Sequence, residues 1–142
     1  HLPASRQRKG TRLTKSLLTL LMCVLLGAAG QLFLKTGVTN ASAALGAASL
    51  SLPLMAKSPA TVFLNPFVLV GFACYGLSSV LWLVLMSRYP LSLIYPMIAL
   101  GYVFVTLGSI VFFKDRPNAF VWLALLLIVS GVSLLARAGS AR

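Results

Sequence analysis

Four long, apolar and charge-poor stretches determine what this chain can fold into. A membrane-spanning helix needs about 20 consecutive apolar residues, and stretches of that length lie at 16–38, 66–87, 91–113 and 118–137. Charged residues make up only 9% of the 142 residues, against about 25% in a typical soluble domain. The sequence therefore predicts an all-α membrane protein in which four transmembrane helices form one domain.

The first stretch also has features of a secretory signal peptide, because a basic segment precedes the apolar run and small residues, Gly27 and Ala29, lie within it. The run continues past them and three further spans follow, which favours a retained helix. The next segment, 39–65, is interrupted by Pro53 and Pro59. We expect it to be an extracytoplasmic loop with a short interfacial helix rather than a fifth span.

Basic residues are distributed unevenly between the two ends of the predicted spans. One side carries Arg6, Arg8, Lys9, Arg12, Lys15, Arg88, Arg137 and Arg142, and the other carries Lys35, Lys57, Lys114 and Arg116 together with the only acid, Asp115. The positive-inside rule then predicts that both termini are cytoplasmic, with basic tails at 1–15 and 138–142. Because these charges flank spans and do not line one polar face, we expect no nucleic-acid partner despite the net charge of +11.

The sequence contains no set of residues suited to catalysis. It has one acid and one histidine, the terminal His1, so no general acid–base pair is available. Cys23 and Cys74 lie in apolar stretches without the spacing of metal ligands, and we expect packed thiols. The chain is therefore predicted to be neither an enzyme nor a metal or cofactor binder.

Polar side chains inside the spans are costly in lipid, so they are the first candidates for function. Gln31 and Lys35 lie one turn apart on one face of the first span. Lys35 is near the end of the span, where it either snorkels to the interface or meets an anionic group such as a phosphate. Gln31 is one turn deeper, and we expect it to form a hydrogen bond across helices.

The third span carries a polar and aromatic stripe, because Tyr95, Tyr102 and Ser109 recur every seven residues. Tyr102 in the third span and Trp82 in the second span carry a hydroxyl and an indole N–H inside the membrane, where each group needs a hydrogen-bond partner. Pro96 interrupts the third span and frees a carbonyl about one turn earlier. This indicates either a plain kink or a helix face that borders a water-filled cavity.

Small residues in the spans predict close contacts between helices. They are Gly71 and Gly76 in the second span, Gly101 and Gly108 in the third, and Ala124 and Gly131 in the fourth. One of these faces is a candidate dimer surface, because a four-helix chain this short is too small to enclose a transport path alone.

Four motifs occur in register along the spans. They are G-Q-L-x-x-K at Gly30, Gln31, Leu32 and Lys35; L-W-L at Leu81, Trp82 and Leu83; P-x-x-x-x-Y-P at Pro90, Tyr95 and Pro96; and an acid after the third span, Asp115. Together they resemble the drug/metabolite transporter superfamily in its short four-helix, small multidrug resistance-like form. Within it they are most similar to the small subunits of the aminoarabinose-phosphoundecaprenol flippase, which usually have Glu where this chain has Asp115.

The resemblance implies a transporter of the bacterial cytoplasmic membrane. It would be a flippase or flippase subunit that moves an undecaprenyl-phosphate-linked sugar or a similar polyprenyl phospholipid, working as a homo- or heterodimer. Lys35 and Arg88 would meet the phosphate at opposite faces of the membrane, since neither is expected to have an acid nearby. The residues expected to line the path of the headgroup are Gln31, Trp82, Tyr95 and Tyr102, and Pro96, Asp115 and Gly131 are assigned structural roles.

Two other functions stay open. One is a small-molecule or multidrug exporter, but the small multidrug resistance exporters carry a glutamate in their first helix where this chain has Gly27. Without a buried carboxylate the chain has no group to attract a cation or to exchange protons. The other is an accessory membrane subunit of a glycosyltransferase.

Overall fold

A computed structural model describes the backbone of residues 4–140 and the side chains of residues 14–138. Every regular element in that range is a helix: α1 (Ala4–Ala44), α2 (Leu52–Lys57), α3 (Pro59–Phe63), α4 (Pro66–Met86), α5 (Leu91–Met97), α6 (Leu100–Phe113) and α7 (Ala119–Ser140). Four segments are long and apolar enough to cross a membrane, at Thr14–Ala44, Pro66–Met86, Leu91–Phe113 and Ala119–Ala138. The predicted all-α fold with four transmembrane helices is therefore confirmed, whereas the cytoplasmic location of the termini stays a prediction and His1 lies outside the described residues.

Helix α1 is longer than the predicted first span at both ends. It begins at Ala4, inside the predicted tail, and ends at Ala44, inside the predicted loop. Its 41 residues correspond to about 60 Å, roughly twice the thickness of the hydrocarbon core. The hydroxyls of Thr39 and Ser42 donate to carbonyls one turn earlier in the same helix. Polar residues therefore continue this helix rather than end it.

The segment that follows α1 contains two short helices, α2 and α3, and no fifth span among the described residues. Pro53 and Pro59 lie in the first turns of these helices, where a proline removes no helical hydrogen bond. Val62 of α3 is buried, as are Ala41 and Ser42 near the end of α1. The segment therefore forms a small packed cap over one end of the helices.

The third span is broken, as Pro96 predicts. Helix α5 ends at Met97 and α6 begins at Leu100. Across the break the hydrogen bonds span three residues rather than four, with Ile98 N donating to Tyr95 O at 3.2 Å and Ala99 N donating to Pro96 O at 3.0 Å. This tighter winding satisfies the backbone where the proline prevents a normal α-helical bond.

Helix α1 lies at the centre of the arrangement. It packs closely along α4 and, less extensively, against α6, whereas α7 packs only on α5 and α6. Small residues allow the close approach of α1 and α4: a Cβ atom added to Gly30 would lie 3.1 Å from the carbonyl oxygen of Gly71, and one added to Gly71 would lie 3.0 Å from Leu34 N. The two helices therefore form the tightest pair in the described part of the chain.

Not all of the predicted small-residue contacts form within the chain. A Cβ added to Gly108 would lie 2.5 Å from Leu32 Cδ1, so Gly108 is a contact as predicted. A Cβ added to Gly76 or Gly131 would meet no atom within 4 Å. These two positions therefore make no close contact within the described part of the chain, and a contact there with a second subunit stays a prediction.

Several helices pack together at each end of the bundle, whereas α4 and α6 are separated from each other in its middle. We call the two ends the Arg88 end, which contains the turn between α4 and α5, and the Lys35 end, which contains the cap and the turn between α6 and α7. The apolar core at the Arg88 end consists of Leu20, Cys23, Val24, Leu85, Ile94, Met97 and Val132. Helices α4 and α6 both pack on α1 but not on each other. The space between them is therefore left open at mid-height.

Candidate functional site

A cavity of about 450 Å³ lies in the gap between α4 and α6, against the middle of α1. Its polar lining consists of Gln31 from α1, Tyr75, Ser78, Ser79 and Trp82 from α4, and Tyr102 from α6. None of these side chains is a carboxylate, an ammonium or a guanidinium. The cavity therefore offers hydroxyl, amide and indole groups to a polar but uncharged part of a ligand.

Gln31 and Tyr75 connect the two walls of this cavity. The Gln31 amide donates a hydrogen bond to the Tyr75 hydroxyl, which lies on α4. This agrees with the prediction that Gln31 bonds across helices, although its partner, Tyr75, was not among the predicted site residues. Tyr75, Ser78, Ser79 and Trp82 follow an i, i+3, i+4, i+7 spacing that places them on one face of a helix. That spacing is the signal that would have identified the wall on α4.

The deep part of the cavity is closed by contacts between Cys23, Gly27 and Ser78. The Ser78 hydroxyl donates to the Cys23 carbonyl at 3.0 Å, and Cys23 Sγ lies 3.4 Å from the Ser78 carbonyl. Cys23 and Cys74 are both free thiols, as predicted. A Cβ at Gly27 would lie 3.4 Å from Ser78 Oγ. Gly27 therefore belongs to the cavity wall, where it contributes no side chain.

The aromatic residues predicted to line a path occupy different positions. Trp82 and Tyr102 line the cavity. Tyr95 lies outside the lining and makes an edge-to-face contact with Trp82, with ring centroids 5.8 Å apart. Arg88 is exposed in the turn at the opposite end from Lys35 and also lies outside the lining. The structure thus brings Gln31, Trp82 and Tyr102 together, places Tyr95 at the edge, and separates Arg88.

Lys35 is paired with the only acidic side chain of the sequence, which corrects the expectation that no acid lies near it. Its Nζ is 3.0 Å from Asp115 Oδ2 and 3.5 Å from Ser109 Oγ, and it lies 4.5 Å from the centre of the Phe113 ring. The two charged residues are 80 positions apart in sequence. They meet because four antiparallel spans bring the end of α1 and the turn after α6 to the same end of the bundle.

Ser109 holds Asp115 in place. Its hydroxyl donates to Asp115 Oδ2, and its carbonyl accepts the backbone N–H groups of Lys114 and Asp115 at the end of α6. Lys114 adopts a left-handed conformation with φ of 55°, which ends the helix and turns the chain toward α7. The hydrogen bond from Ser109 and the ammonium of Lys35 lower the pKa of the Asp115 carboxyl, which is therefore ionised at neutral pH.

A second cavity, of about 420 Å³, adjoins Asp115 at the Lys35 end. Its lining includes Thr106, Ser109, Asp115 and Arg116, so it combines hydroxyl groups with a carboxylate and a guanidinium. Val105 lines both cavities. Since Lys35 also follows Gln31 by one helical turn, the charged cluster stands at one end of the uncharged cavity.

No group of three His, Cys, Asp or Glu side chains that could hold a metal ion comes together among residues 14–138. The expected absence of a metal and of a cofactor stays a prediction.

Several curated proteins similar to this chain carry the same name. Over 71 residues it is 35% identical to the probable 4-amino-4-deoxy-L-arabinose-phosphoundecaprenol flippase subunit ArnE of Aeromonas hydrophila, covering 50% of this chain and 62% of that protein. The ArnE proteins of Pseudomonas fluorescens (34% over 71 residues; 50% and 62%) and Escherichia coli O81 (33% over 66 residues; 46% and 60%) are similar to it as well.

The chain resembles flippase subunits over half its length. The matches span about three fifths of the length of these relatives. They confirm the resemblance to flippase subunits that the motifs indicate, and the relatives are named as transporter subunits rather than as enzymes. No family model and no solved structure matches the chain.

Proposed function

We propose that this chain is a subunit of a flippase that moves an undecaprenyl-phosphate-linked sugar, or a similar polyprenyl-phosphate lipid, across the bacterial cytoplasmic membrane. The observation that supports it most is the carboxylate-free, polar lining of the cavity between α1, α4 and α6. A polar cavity inside a membrane is costly and is therefore a default functional site. The names of the relatives specify the class of substrate.

The cavity suits a sugar headgroup. Moving hydroxyl groups through hydrocarbon without hydrogen-bond partners costs several kcal/mol for each group. Gln31, Tyr75 and Tyr102 offer donors and acceptors at mid-height and so replace water for the sugar. The gap between α4 and α6 leaves a way for the polyprenyl chain to remain in lipid while the headgroup crosses.

The phosphate of such a lipid requires a cation, and we propose Lys35 for this role. It lies one turn beyond Gln31 and contacts Ser109 and Asp115, which line the second cavity together with Arg116. Arg88 at the other end of the bundle is our candidate for the phosphate when the lipid enters or leaves there. In this scheme the charged part of the lipid is bound at the two ends, and the uncharged part is carried through the middle.

A second subunit would complete the transport path. Helix α7 packs only on α5 and α6, and Ala124 and Gly131 on it are exposed. Small residues on an open helix face allow another helix to approach closely. We propose that a second four-helix subunit, a copy of this chain or a related one, packs there, and that the two subunits rock between inward- and outward-open states.

Export of cationic drugs fits the site less well. The exporters' glutamate position is Gly27 in this chain, and the only carboxylate, Asp115, is bound to Lys35 at the end of the bundle. Resistance of cells to quaternary ammonium compounds on expression of the chain would favour an exporter.

The direct test is mass spectrometry of lipid that co-purifies with the protein, followed by translocation in proteoliposomes. We expect a polyprenyl phosphate that carries its headgroup, and translocation that falls at least tenfold in Gln31→Leu. Ser133→Ala is the matched control, because it removes a polar group from α7, where Ser133 bonds only its own helix in the contacts described. If only bulk phospholipid co-purifies and Gln31→Leu transports like the parent, the proposal is wrong.

A further inference from the structure

We infer that the ion pair between Lys35 and Asp115 is a latch at the Lys35 end of the central cavity, and that a phosphate group opens it by replacing the Asp115 carboxylate on Lys35. The inference rests on the proposed function for the lipid that carries the phosphate. Its geometry does not depend on that lipid, because it concerns two charged side chains and the cavity beside them.

The latch joins two walls of the central cavity. Lys35 belongs to α1, and Asp115 is held by Ser109 of α6. A bond between Lys35 and Asp115 therefore ties the end of α6 to α1. The central cavity lies immediately below, since Gln31 lines it one turn earlier on α1 and Val105 lines it one turn before Ser109 on α6. Breaking this bond releases α6 at the point where the two cavities meet.

The ion pair is suited to exchange rather than to permanent stabilisation. The side chains of Lys35 and Asp115 are each 48% exposed, and ion pairs with this exposure are weak because water competes for both partners. The turn after α6, together with Lys35 of α1, also carries more cations than Asp115 can neutralise. Lys35, Lys114 and Arg116 supply three positive charges against one negative, which leaves a formal charge of +2 on the cluster. A second anion is therefore attracted to it.

The neighbouring cavity has room and donors for that anion. It measures about 420 Å³, and its lining combines the hydroxyls of Thr106 and Ser109 and the Arg116 guanidinium with the Asp115 carboxylate, which Lys35 Nζ contacts at 3.0 Å. Phosphate oxygens accept hydrogen bonds from such groups, and a guanidinium and an ammonium bind them strongly. As a phosphate approaches Lys35, its charge also repels the Asp115 carboxylate. Binding of the phosphate thus occupies the second cavity and displaces the Asp115 carboxylate from Lys35.

The test measures the separation of α1 from the turn after α6 by spin labels. The assembled protein in nanodiscs carries Ala43→Cys and Ala119→Cys, with Cys23→Ala and Cys74→Ala to remove the native thiols. Ala43 and Ala119 are both exposed. The probes are undecaprenyl phosphate and inorganic phosphate, which present the same chemical group with and without a lipid. We expect both to shift the distances to longer values, inorganic phosphate only at higher concentration.

Variants separate the roles of the two charges. Asp115→Asn should show the long distances without phosphate and should bind undecaprenyl phosphate about two- to fivefold more tightly, which is the range expected from loss of one weak competing pair. The exchanged pair, Lys35→Asp with Asp115→Lys, should keep the short distances without phosphate, because the ion pair is retained with its charges reversed. Ser109→Ala, which keeps both charges, should shift the distances partly. Lys57→Gln is the control for loss of one positive charge elsewhere and should behave as the parent.

The latch is overturned if Asp115→Asn keeps the short distances without phosphate, or if phosphate binds to the parent without changing them. Failure of the proposed function gives a different result. If inorganic phosphate lengthens the distances but no polyprenyl phosphate is translocated, the latch stands and the flippase proposal fails. If translocation proceeds while the distances stay unchanged, the flippase proposal stands and the latch fails.

Discussion

At the scale of single residues, the hydrogen bond from Gln31 to Tyr75 joins the two helices that pack most closely. It gives the Gln31 amide nitrogen a hydrogen-bond partner between two apolar spans. The hydroxyl of Ser79 is likewise bonded, to the carbonyl of Tyr75. On the α4 wall of the cavity, Tyr75 therefore accepts two hydrogen bonds: its hydroxyl accepts one from Gln31 and its backbone carbonyl accepts one from Ser79.

Removing the Tyr75 hydroxyl should destabilise the fold by a small amount. Interhelical hydrogen bonds in membranes contribute about 0.6 kcal/mol on average, and we expect a loss of that order for Tyr75→Phe. A double-mutant cycle with Gln31→Leu, read by unfolding in mixed micelles, measures the coupling. Tyr89→Phe is the control, since Tyr89 lies at the Arg88 end, away from the cavity lining. Additive effects of the two substitutions would contradict the bond.

The stability of the protein should depend on pH through Asp115. Its pKa is lowered by the Ser109 hydroxyl and by Lys35, so its ionised form favours the folded state. This contribution is present above the ordinary Asp pKa of about 3.9 and is lost as pH falls through the lowered value. Asp115 is the only acidic side chain in the sequence. The melting temperature should therefore fall more between pH 5 and pH 2 in the parent than in Asp115→Asn, and equal falls would contradict the assignment.

Some of these residues were predictable from the sequence and others were not. Gln31 and Trp82 stand out because polar groups are rare in apolar spans. The pairing of Lys35 with Asp115 was missed, although counting antiparallel spans places both at the same end. Hydropathy describes each span separately and does not specify which turn contacts which helix. An ion pair between residues 80 positions apart can therefore be identified only from the packing of the helices.

At the scale of helices, glycine determines how closely α1 and α4 approach. Gly71 faces the backbone of Leu34, whereas Gly76, five residues later in the same helix, faces open space within the chain. Substitutions at Gly71 and Gly76 therefore provide a test and its control within one helix, α4.

Gly71→Ala should destabilise the protein by about 1–3 kcal/mol, because the added Cβ would lie 2.7 Å from Leu34 Cγ and 3.0 Å from Leu34 N. Gly76→Ala adds the same atom without a clash and should be neutral or stabilising by up to about 1 kcal/mol, since alanine favours a helix. Thermal unfolding in detergent measures both. Equal losses in the two variants would show that this close approach does not limit the packing.

The sequence predicts which helices exist better than where they end. Apolar length identifies the four spans, and Pro96 identifies the break between α5 and α6. The end of α1 was predicted at 38 but lies at Ala44, because Thr39 and Ser42 bond to their own helix and continue it. A polar composition indicates where a segment leaves lipid, but it does not require that the helix end there.

At the scale of the whole molecule, the chain presents an open apolar exterior. Residues such as Phe120, Leu126 and Leu134 on α7 are more than 60% exposed. Lipid covers such side chains in a membrane, and α7 also offers the Ala124 and Gly131 face for a second subunit. The four-helix unit thus has a packed side, centred on α1, and a side on α7 that no other described helix of the chain covers.

Gly131→Leu should weaken association of subunits without destabilising the single chain. A side chain at Gly131 meets no atom of this chain within 4 Å, so folding of the subunit should be unaffected, whereas a bulky group should block a close helix–helix contact. Native mass spectrometry in mild detergent reports the loss of dimer. Gly76→Leu is the control, because Gly76 is equally open but lies on α4. If Gly131→Leu dimerises like the parent, the contact lies on another face.

The unequal partnership of α1 with the other helices has a consequence for how the protein is made. Because α4 follows α1 as the next span and packs on it directly, a helical hairpin of these two helices can form in the membrane before α5, α6 and α7 are inserted. Helix α7 is inserted after this pair and packs on α5 and α6. The surface on α7 that is free to meet another subunit is therefore added only after the central pair, so the order of translation agrees with the order of assembly.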